Sequence, residues 1–195
     1  MGRADLFSED AAPSTAAEQE RGLIHGQESL PYANERFGWG CYGKNGCTLI
    51  AVYNALQLLE KPCSLGEICR RFRQKHRLLA FGAWGASPWS MGAFFREAGI
   101  PARGYWSSRR LTDNLREGDV ICFTVMNTHN PFQGFHTMTA RRSGDCFEVF
   151  NVGPHDRHCR RYSRLTDAFP AGVWIYGYRV GNGDMDSQSR RATVG

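Results

Sequence analysis

An apolar segment without charge, residues 46–59, has the spacing of a helix that is buried on every side. Its principal apolar positions recur three or four residues apart: Leu49, Val52, Tyr53, Leu56 and Leu59. Further apolar residues cover the remaining faces, so we expect almost no solvent-exposed face. A glycine-rich run ends at Gly46, which places Cys47 in the first turn of this predicted helix.

Helical patterns precede strand patterns along the chain. The pattern predicts a second helix from a Ser64–Glu67 capping box to about residue 78, and a third from Ser87 to Gly99. From residue 101 the period changes to two, apart from a short helix predicted at 108–117. Strands are predicted at 101–107, 119–127, 135–142, 145–151 and 173–180. Helices followed by an antiparallel sheet indicate the α+β class.

The length of 195 residues fits one domain. Residues 1–30 have few large apolar side chains and are predicted to form a flexible arm, residues 31–180 the domain, and residues 181–195 a polar tail. We see no secretory signal peptide and no apolar run long enough to span a membrane, so we expect no membrane partner and a cytoplasmic location. The pattern makes no prediction of oligomeric state.

Charge and cysteine content exclude several functional classes. The net charge of +5 is mild and spread along the chain, and the arginine-rich side of the second helix is typical of a solvated face, so we do not expect a nucleic-acid partner. The seven cysteines include no zinc-like spacing and are an odd number. We therefore expect free thiols in a reducing compartment and no metal or organic cofactor.

Cys47 is the candidate for chemistry because of its place at a helix start. Unpaired backbone N–H groups and the helix dipole favour an anion there, and this lowers the pKa of a thiol and produces a nucleophilic thiolate. A small buried core thiol is the alternative, and this segment by itself leaves both interpretations open.

A thiolate nucleophile needs a base, and the predicted hairpin at 135–151 selects one of the six histidines. If Ser143 and Gly144 form a two-residue turn, His136 lies opposite Asn151 on the same face. An amide oxygen at that distance accepts a hydrogen bond from the imidazole and fixes its tautomer. A three-residue turn would abolish this pairing, and a half-buried structural histidine is the alternative. Together with Cys47, the pair indicates a catalytic triad.

These residues resemble those of the papain-like cysteine peptidases, and most closely the small bacterial branch that includes the double-glycine bacteriocin-leader peptidases. The likeness runs over residues 38–180 and rests on NGCTLIAVYNALQLL, FHTMTA and FEVFN. It implies a two-lobed fold in which Cys47 is the nucleophile, His136 the general base and acid, and Asn151 the orienting residue. The implied function is hydrolysis of a peptide or protein substrate through a thioester.

One position departs from the family. The glutamine that usually contributes to the oxyanion hole is replaced by Cys41, a poor donor. The backbone N–H of Cys47 remains available, and Asn45 or Tyr42 is the candidate for a second donor. An acyltransferase or amidase on the same fold needs the same triad and stays open as an alternative. A non-catalytic binding module with this fold is the third hypothesis.

Overall fold

The computed structural model describes residues 22–116, 118–128 and 134–181, and its fold is of the predicted α+β class. Within these ranges there are five α-helices and eight strands. The helices are α1 (Tyr42–Asn45), α2 (Cys47–Leu58), α3 (Leu65–Gln74), α4 (Met91–Glu97) and α5 (Ser108–Thr112). The strands are β1 (Arg36–Phe37), β2 (Gly40–Cys41), β3 (Ala102–Tyr105), β4 (Val120–Met126), β5 (Phe135–Ser143), β6 (Cys146–Phe150), β7 (Arg160–Tyr162) and β8 (Val173–Val180).

Six of the strands form one antiparallel sheet in the order β3-β8-β4-β5-β6-β7. Strands β4 and β5 lie at its centre, and every residue from Val120 to Val125 in β4 is buried. Strands β1 and β2 form a separate short hairpin just before the nucleophile candidate. Short 3-10 segments connect the larger elements at Gln27–Ser29, Leu79–Gly82, Pro88–Ser90 and Leu165–Ala168.

Helix α2 is the central helix that the sequence predicts. All residues from Thr48 to Leu56 are buried, so the expectation of burial on every side is confirmed. The helix lies across β4 and β5, where the side chain of Thr139 donates a hydrogen bond to the Ala51 carbonyl at 2.9 Å. The hydroxyl groups of Thr48 and Thr137 are 3.2 Å apart in the same contact. These polar contacts fix the start of α2 against the middle of β5.

The sheet separates two hydrophobic cores because its side chains alternate between faces. The core on the helical side contains α2, the apolar faces of α3 and α4, and the inward side chains Val120 and Cys122 of β4. The core on the other side is built from the remaining sheet positions and the segments that cover them, including Phe123, Met138 and Leu165. His136 shares its sheet face with Met138, whereas Thr137 faces α2.

The register predicted for the β5–β6 hairpin is wrong. The turn consists of Gly144 and Asp145, because Ser143 pairs with Cys146 and Thr139 with Phe150. Gly144 has a positive φ of 61°, as the first central residue of a type II′ turn requires. The predicted turn has Gly144 as its second central residue instead. The slip is two residues, so each side chain keeps its face, but Asn151 follows the end of β6 and does not pair with His136.

Residues 22–30, which we expected to belong to a flexible arm, pack against the domain. Ile24 is buried, and its backbone exchanges two hydrogen bonds with the side chain of Asn54 in α2, at 2.9 and 2.8 Å. The phenol of Tyr53 donates to the Gly22 carbonyl. The packed domain therefore includes residues from at least Gly22, and the predicted boundary at residue 30 is too late.

Other expectations differ from the structure in detail or lie outside the described ranges. Two elements lie where the pattern predicts neither a helix nor a strand: β7 at Arg160–Tyr162 and α1 at Tyr42–Asn45. The first part of the predicted arm, residues 129–133 between two predicted strands, and the predicted tail beyond residue 181 lie outside the described residues. Among the helices that the structure describes, none is both long and apolar enough to cross a membrane.

Candidate active site

Cys47 is the first residue of α2, directly after Gly46. The first helical hydrogen bond runs from the Ile50 N–H to the Gly46 carbonyl, so the amides before Ile50 are the orphan donors of a helix start. A Cβ atom on Gly46 would lie 2.4 Å from the Tyr42 carbonyl oxygen, which explains why a glycine joins α1 to α2 here. The tight connection presents the half-buried Cys47 thiol at the end of the helix that faces β5.

His136 lies beside Cys47, in hydrogen-bonding contact with its thiol. Burial is the largest influence on the Cys47 pKa and would raise it. The hydrogen bond and charge attraction from His136, together with hydrogen bonds from Thr137, outweigh burial and lower the pKa. Burial would likewise lower the pKa of His136, but the contacts with Cys47 and with the Asn151 backbone raise it. Both shifts favour a thiolate beside an imidazolium.

The second nitrogen of the His136 ring determines its tautomer. Nε2 lies 2.5 Å from the backbone carbonyl oxygen of Asn151. Because a carbonyl oxygen only accepts hydrogen bonds, Nε2 must carry a proton, and Nδ1 is left to exchange a proton with the thiol. Asn151 therefore orients the imidazole through its main chain.

The predicted contact between the Asn151 side-chain amide and the His136 ring is not present. The Asn151 side chain is buried and pairs with Gln27: its Oδ1 accepts from the Gln27 N–H at 3.0 Å, and its Nδ2 donates to the Gln27 Oε1 at 3.2 Å. The residue also has a left-handed φ of 61°, which turns the chain immediately after β6. The side chain stabilises this turn, and the turn brings the carbonyl to His136.

The three candidates for an oxyanion donor have other partners. Tyr42 is buried with its phenol in hydrogen-bonding contact with Cys69, so its pKa is raised mainly by burial and the side chain lies in the core. Asn45 joins two loops, since its Nδ2 donates to the Ala83 carbonyl at 2.8 Å and its Oδ1 accepts from the Cys41 N–H at 3.2 Å. Cys41 contributes that backbone N–H from β2. The Tyr42 phenol therefore already has a partner in the core, and the identity of the second oxyanion donor stays a prediction.

The pKa of Cys47 is shifted in the opposite direction from that of three other thiols, Cys63, Cys69 and Cys122. Burial raises the pKa of Cys63 and Cys69, and it raises the pKa of Cys122 to about 12. All seven cysteines are free thiols. Among these four, only Cys47 has a nearby group that outweighs burial, and that group is His136.

A cavity of about 170 Å³ opens beside His136 on the side of the sheet away from α2. Among the described residues, its lining is mostly apolar and includes no carboxylate, lysine or arginine. The lining residues are Val125, Asn127, His136, Met138, Val152 and the segment 168–172. The cavity therefore places apolar surface next to the ring that contacts Cys47.

Two residues of this site were not recognised in the sequence. Thr137 is buried and its hydroxyl contacts those of Thr48 and Thr124, at 3.2 and 3.0 Å, beside Cys47. The threonines alternating in β5 were a signal for a polar contact with the helix. Gln27 gave no comparable signal, because it lies in a polar segment far from Asn151 in sequence.

No protein-family model matches the chain, and no curated protein matches its sequence. Within the described ranges, no group of three or more histidine, cysteine, aspartate or glutamate side chains is arranged to hold a metal ion.

Proposed function

We propose that the protein is a cysteine peptidase with a papain-like fold, in which Cys47 is the nucleophile and His136 the general base and acid. The observation that carries the proposal is the contact between the Cys47 thiol, at the start of a buried helix, and the His136 imidazole. The His136 contact lowers the pKa of a thiol whose burial alone would raise it. A structural thiol in a core has no need of such a partner.

The arrangement supports acyl transfer in two steps. The thiolate of Cys47 attacks the peptide carbonyl carbon, and the C=O electron pair moves to oxygen. When the intermediate collapses, the amine leaves with the proton from Nδ1 of His136, and a thioester remains on Cys47. Water then attacks the thioester as Nδ1 takes its proton, and loss of the acid product restores the thiolate and the imidazolium.

First-turn amides of α2 supply the donor for the oxyanion in this proposal. The backbone N–H of Cys47 belongs to the orphan amides of the helix start, where the dipole also favours negative charge. Such a fixed donor stabilises charge that develops in the transition state. Asn45 contributes indirectly, by holding the loops around α1 in place.

The cavity beside His136 favours a peptide substrate that presents an apolar side chain near the scissile bond. The described residues of its lining are mostly hydrocarbon, and His136 is the one titratable side chain among them. A reducing cytoplasm suits a nucleophilic thiol in a chain whose seven cysteines are all free.

The proposal is tested with a pool of synthetic peptides of varied sequence, analysed by mass spectrometry. We expect cleavage by the wild-type protein, with more rapid cleavage of peptides carrying apolar residues, and no cleavage by Cys47→Ala. Cys146→Ala, which removes a half-buried thiol elsewhere in the sheet, serves as the matched control and should leave cleavage unchanged. Products that appear only when an amine is added would instead assign the site to acyl transfer. The absence of any product that depends on Cys47 would contradict the proposal.

A further inference from the structure

Gln27 joins three parts of the chain beside His136. The residue is 7% exposed. Its Nε2 donates to the Gly43 carbonyl in α1 at 2.7 Å, and its Oε1 and backbone N–H bind both ends of the Asn151 amide, at 3.2 and 3.0 Å. One side chain thus connects the residues just before the nucleophile to the residue that binds the histidine.

The segment that carries Gln27 is fixed on both sides of this residue. The Glu28 N–H donates to the Pro154 carbonyl at 2.8 Å. A Cβ atom on Gly26 would lie 2.5 Å from the Asp156 nitrogen, so only glycine allows the segment to lie this close to the loop that follows Asn151. Gln27 is therefore held at a set position relative to that loop.

Asn151 needs such support because its backbone is unusual. Its φ of 61° is left-handed, a conformation that asparagine tolerates better than most residues but that still requires stabilising contacts. Both polar atoms of its side chain are bound by Gln27, and its carbonyl is the group that meets Nε2 of His136 at 2.5 Å. Rotation of this peptide would remove the carbonyl from the imidazole.

We infer that Gln27 is a positioning residue for His136, acting through Asn151, so that a residue of the N-terminal segment completes the site. The inference rests on the proposed function for its catalytic meaning. Gln27 locks the Asn151 side chain, the locked side chain holds the left-handed turn, and the turn holds the carbonyl against Nε2. The carbonyl in turn favours the protonated ring and, with it, the thiolate of Cys47.

The test is the pH dependence of Cys47 alkylation by iodoacetamide in the full-length protein, followed by peptide mapping. Gln27→Met keeps the length of the side chain and removes its polar atoms. The variant removes the bond from the Asn151 Nδ2 and keeps the bond from the Gln27 backbone N–H. The weakened lock should lower the pKa of His136 and raise that of Cys47, and we expect the alkylation midpoint to rise by about one pH unit. Gln27→Asn, which is shorter but still an amide, should give a smaller rise, and it replaces Gln27→Met if that variant does not fold.

Asn54→Ala is the matched control. It removes the other pair of side-chain hydrogen bonds that ties the same N-terminal segment to α2, without touching Asn151 or His136. We expect a lower melting temperature and an unchanged alkylation midpoint. If Asn54→Ala does not fold, Tyr53→Phe takes its place, since it removes the bond from the phenol to the Gly22 carbonyl.

The inference is overturned if the Gln27 variants keep the wild-type midpoint, or if the control shifts the midpoint as far as they do. Alkylation needs no substrate, so this result is independent of peptide cleavage. A shift in a protein that cleaves no peptide would leave the positioning role intact and remove the proposed function. If the wild-type protein cleaves peptides and the Gln27 variants show no shift, the proposed function stands and the positioning role of Gln27 is removed.

Discussion

His136 and Asn151 are joined through the main chain: Nε2 of the imidazole lies 2.5 Å from the Asn151 carbonyl oxygen, while the Asn151 side chain faces Gln27. The side chain of Asn151 therefore stabilises the left-handed backbone conformation, and the carbonyl binds the histidine. These two roles are separable by mutation, because glycine adopts a positive φ without any help from a side chain.

We predict that Asn151→Gly retains more activity than Asn151→Ala. Glycine adopts a φ of 61° freely, whereas alanine in this region costs about 1–2 kcal/mol, which corresponds to roughly tenfold in rate if the turn relaxes. Both variants should retain more activity than His136→Ala, which removes proton transfer itself. The measurement is single-turnover acylation by an activated ester. Equal losses in the glycine and alanine variants would show that the side-chain amide orients the ring directly.

The coupled pKa shifts give a signed prediction for pH. The Cys47 pKa lies below the ordinary thiol value of 9.0, so its alkylation should set in at lower pH than that of an ordinary thiol. The His136 pKa lies above 6.5, so the imidazolium persists to higher pH and activity should fall only as pH rises through that raised pKa.

In His136→Ala the alkylation midpoint of Cys47 should move to higher pH. Burial raises the pKa of the thiol, and the imidazole that counteracts this effect is absent from the variant. His155→Ala, on an exposed loop residue, is the control and should leave the midpoint in place. An unchanged midpoint in His136→Ala would mean that the helix start alone activates the thiol.

Tyr42→Phe should leave the acylation rate within about a factor of two. Its phenol contacts Cys69 in the core, so its removal changes no group at the nucleophile. Asn45→Ala should lower the free energy of unfolding by about 1–3 kcal/mol, since it leaves the Cys41 N–H and the Ala83 carbonyl without their partner. The acylation rate and urea unfolding of both variants test whether Tyr42 and Asn45 have structural roles. A large loss of acylation rate in Tyr42→Phe would contradict the prediction.

Ile24→Ala should destabilise the fold by about 2–5 kcal/mol, the usual cost of truncating a buried isoleucine. Ile24 is 3% exposed and lies against α2 with the core of the helical side. Leu23→Ala, at a half-buried neighbour, should cost less. Urea unfolding measures both, and no difference between Ile24→Ala and the wild type would mean that residues 22–30 are the loose arm that their composition suggests.

Local patterns were sufficient to predict the helix that begins at Cys47 and most of the sheet. Helical spacing and the glycine before Cys47 predicted α2, and its start and burial are confirmed. The apolar runs predicted β4 and β8 within one or two residues of their observed bounds. These features depend on neighbours in sequence, so they are readable from one chain.

Long-range features were not predictable in the same way. A two-residue turn between β5 and β6 can begin at Ser143 or at Gly144, and both registers place each side chain on the same face of the sheet. The positive φ of Gly144, as the first residue of the turn, distinguishes them. His136 does lie beside Cys47, although the register that selected it was wrong. The contact between Gln27 and Asn151 joins residues 124 positions apart. A buried polar pair of this kind leaves no periodicity to detect.

The most direct test of the central claim, that His136 makes Cys47 a nucleophile, is to locate the acyl group after reaction with an activated ester. The protein is quenched in acid during a single turnover, digested and mapped by mass spectrometry. We expect a mass increase on the peptide containing Cys47, and its near absence in His136→Ala. Acylation of another cysteine, or acylation of Cys47 at the same rate without His136, would contradict it.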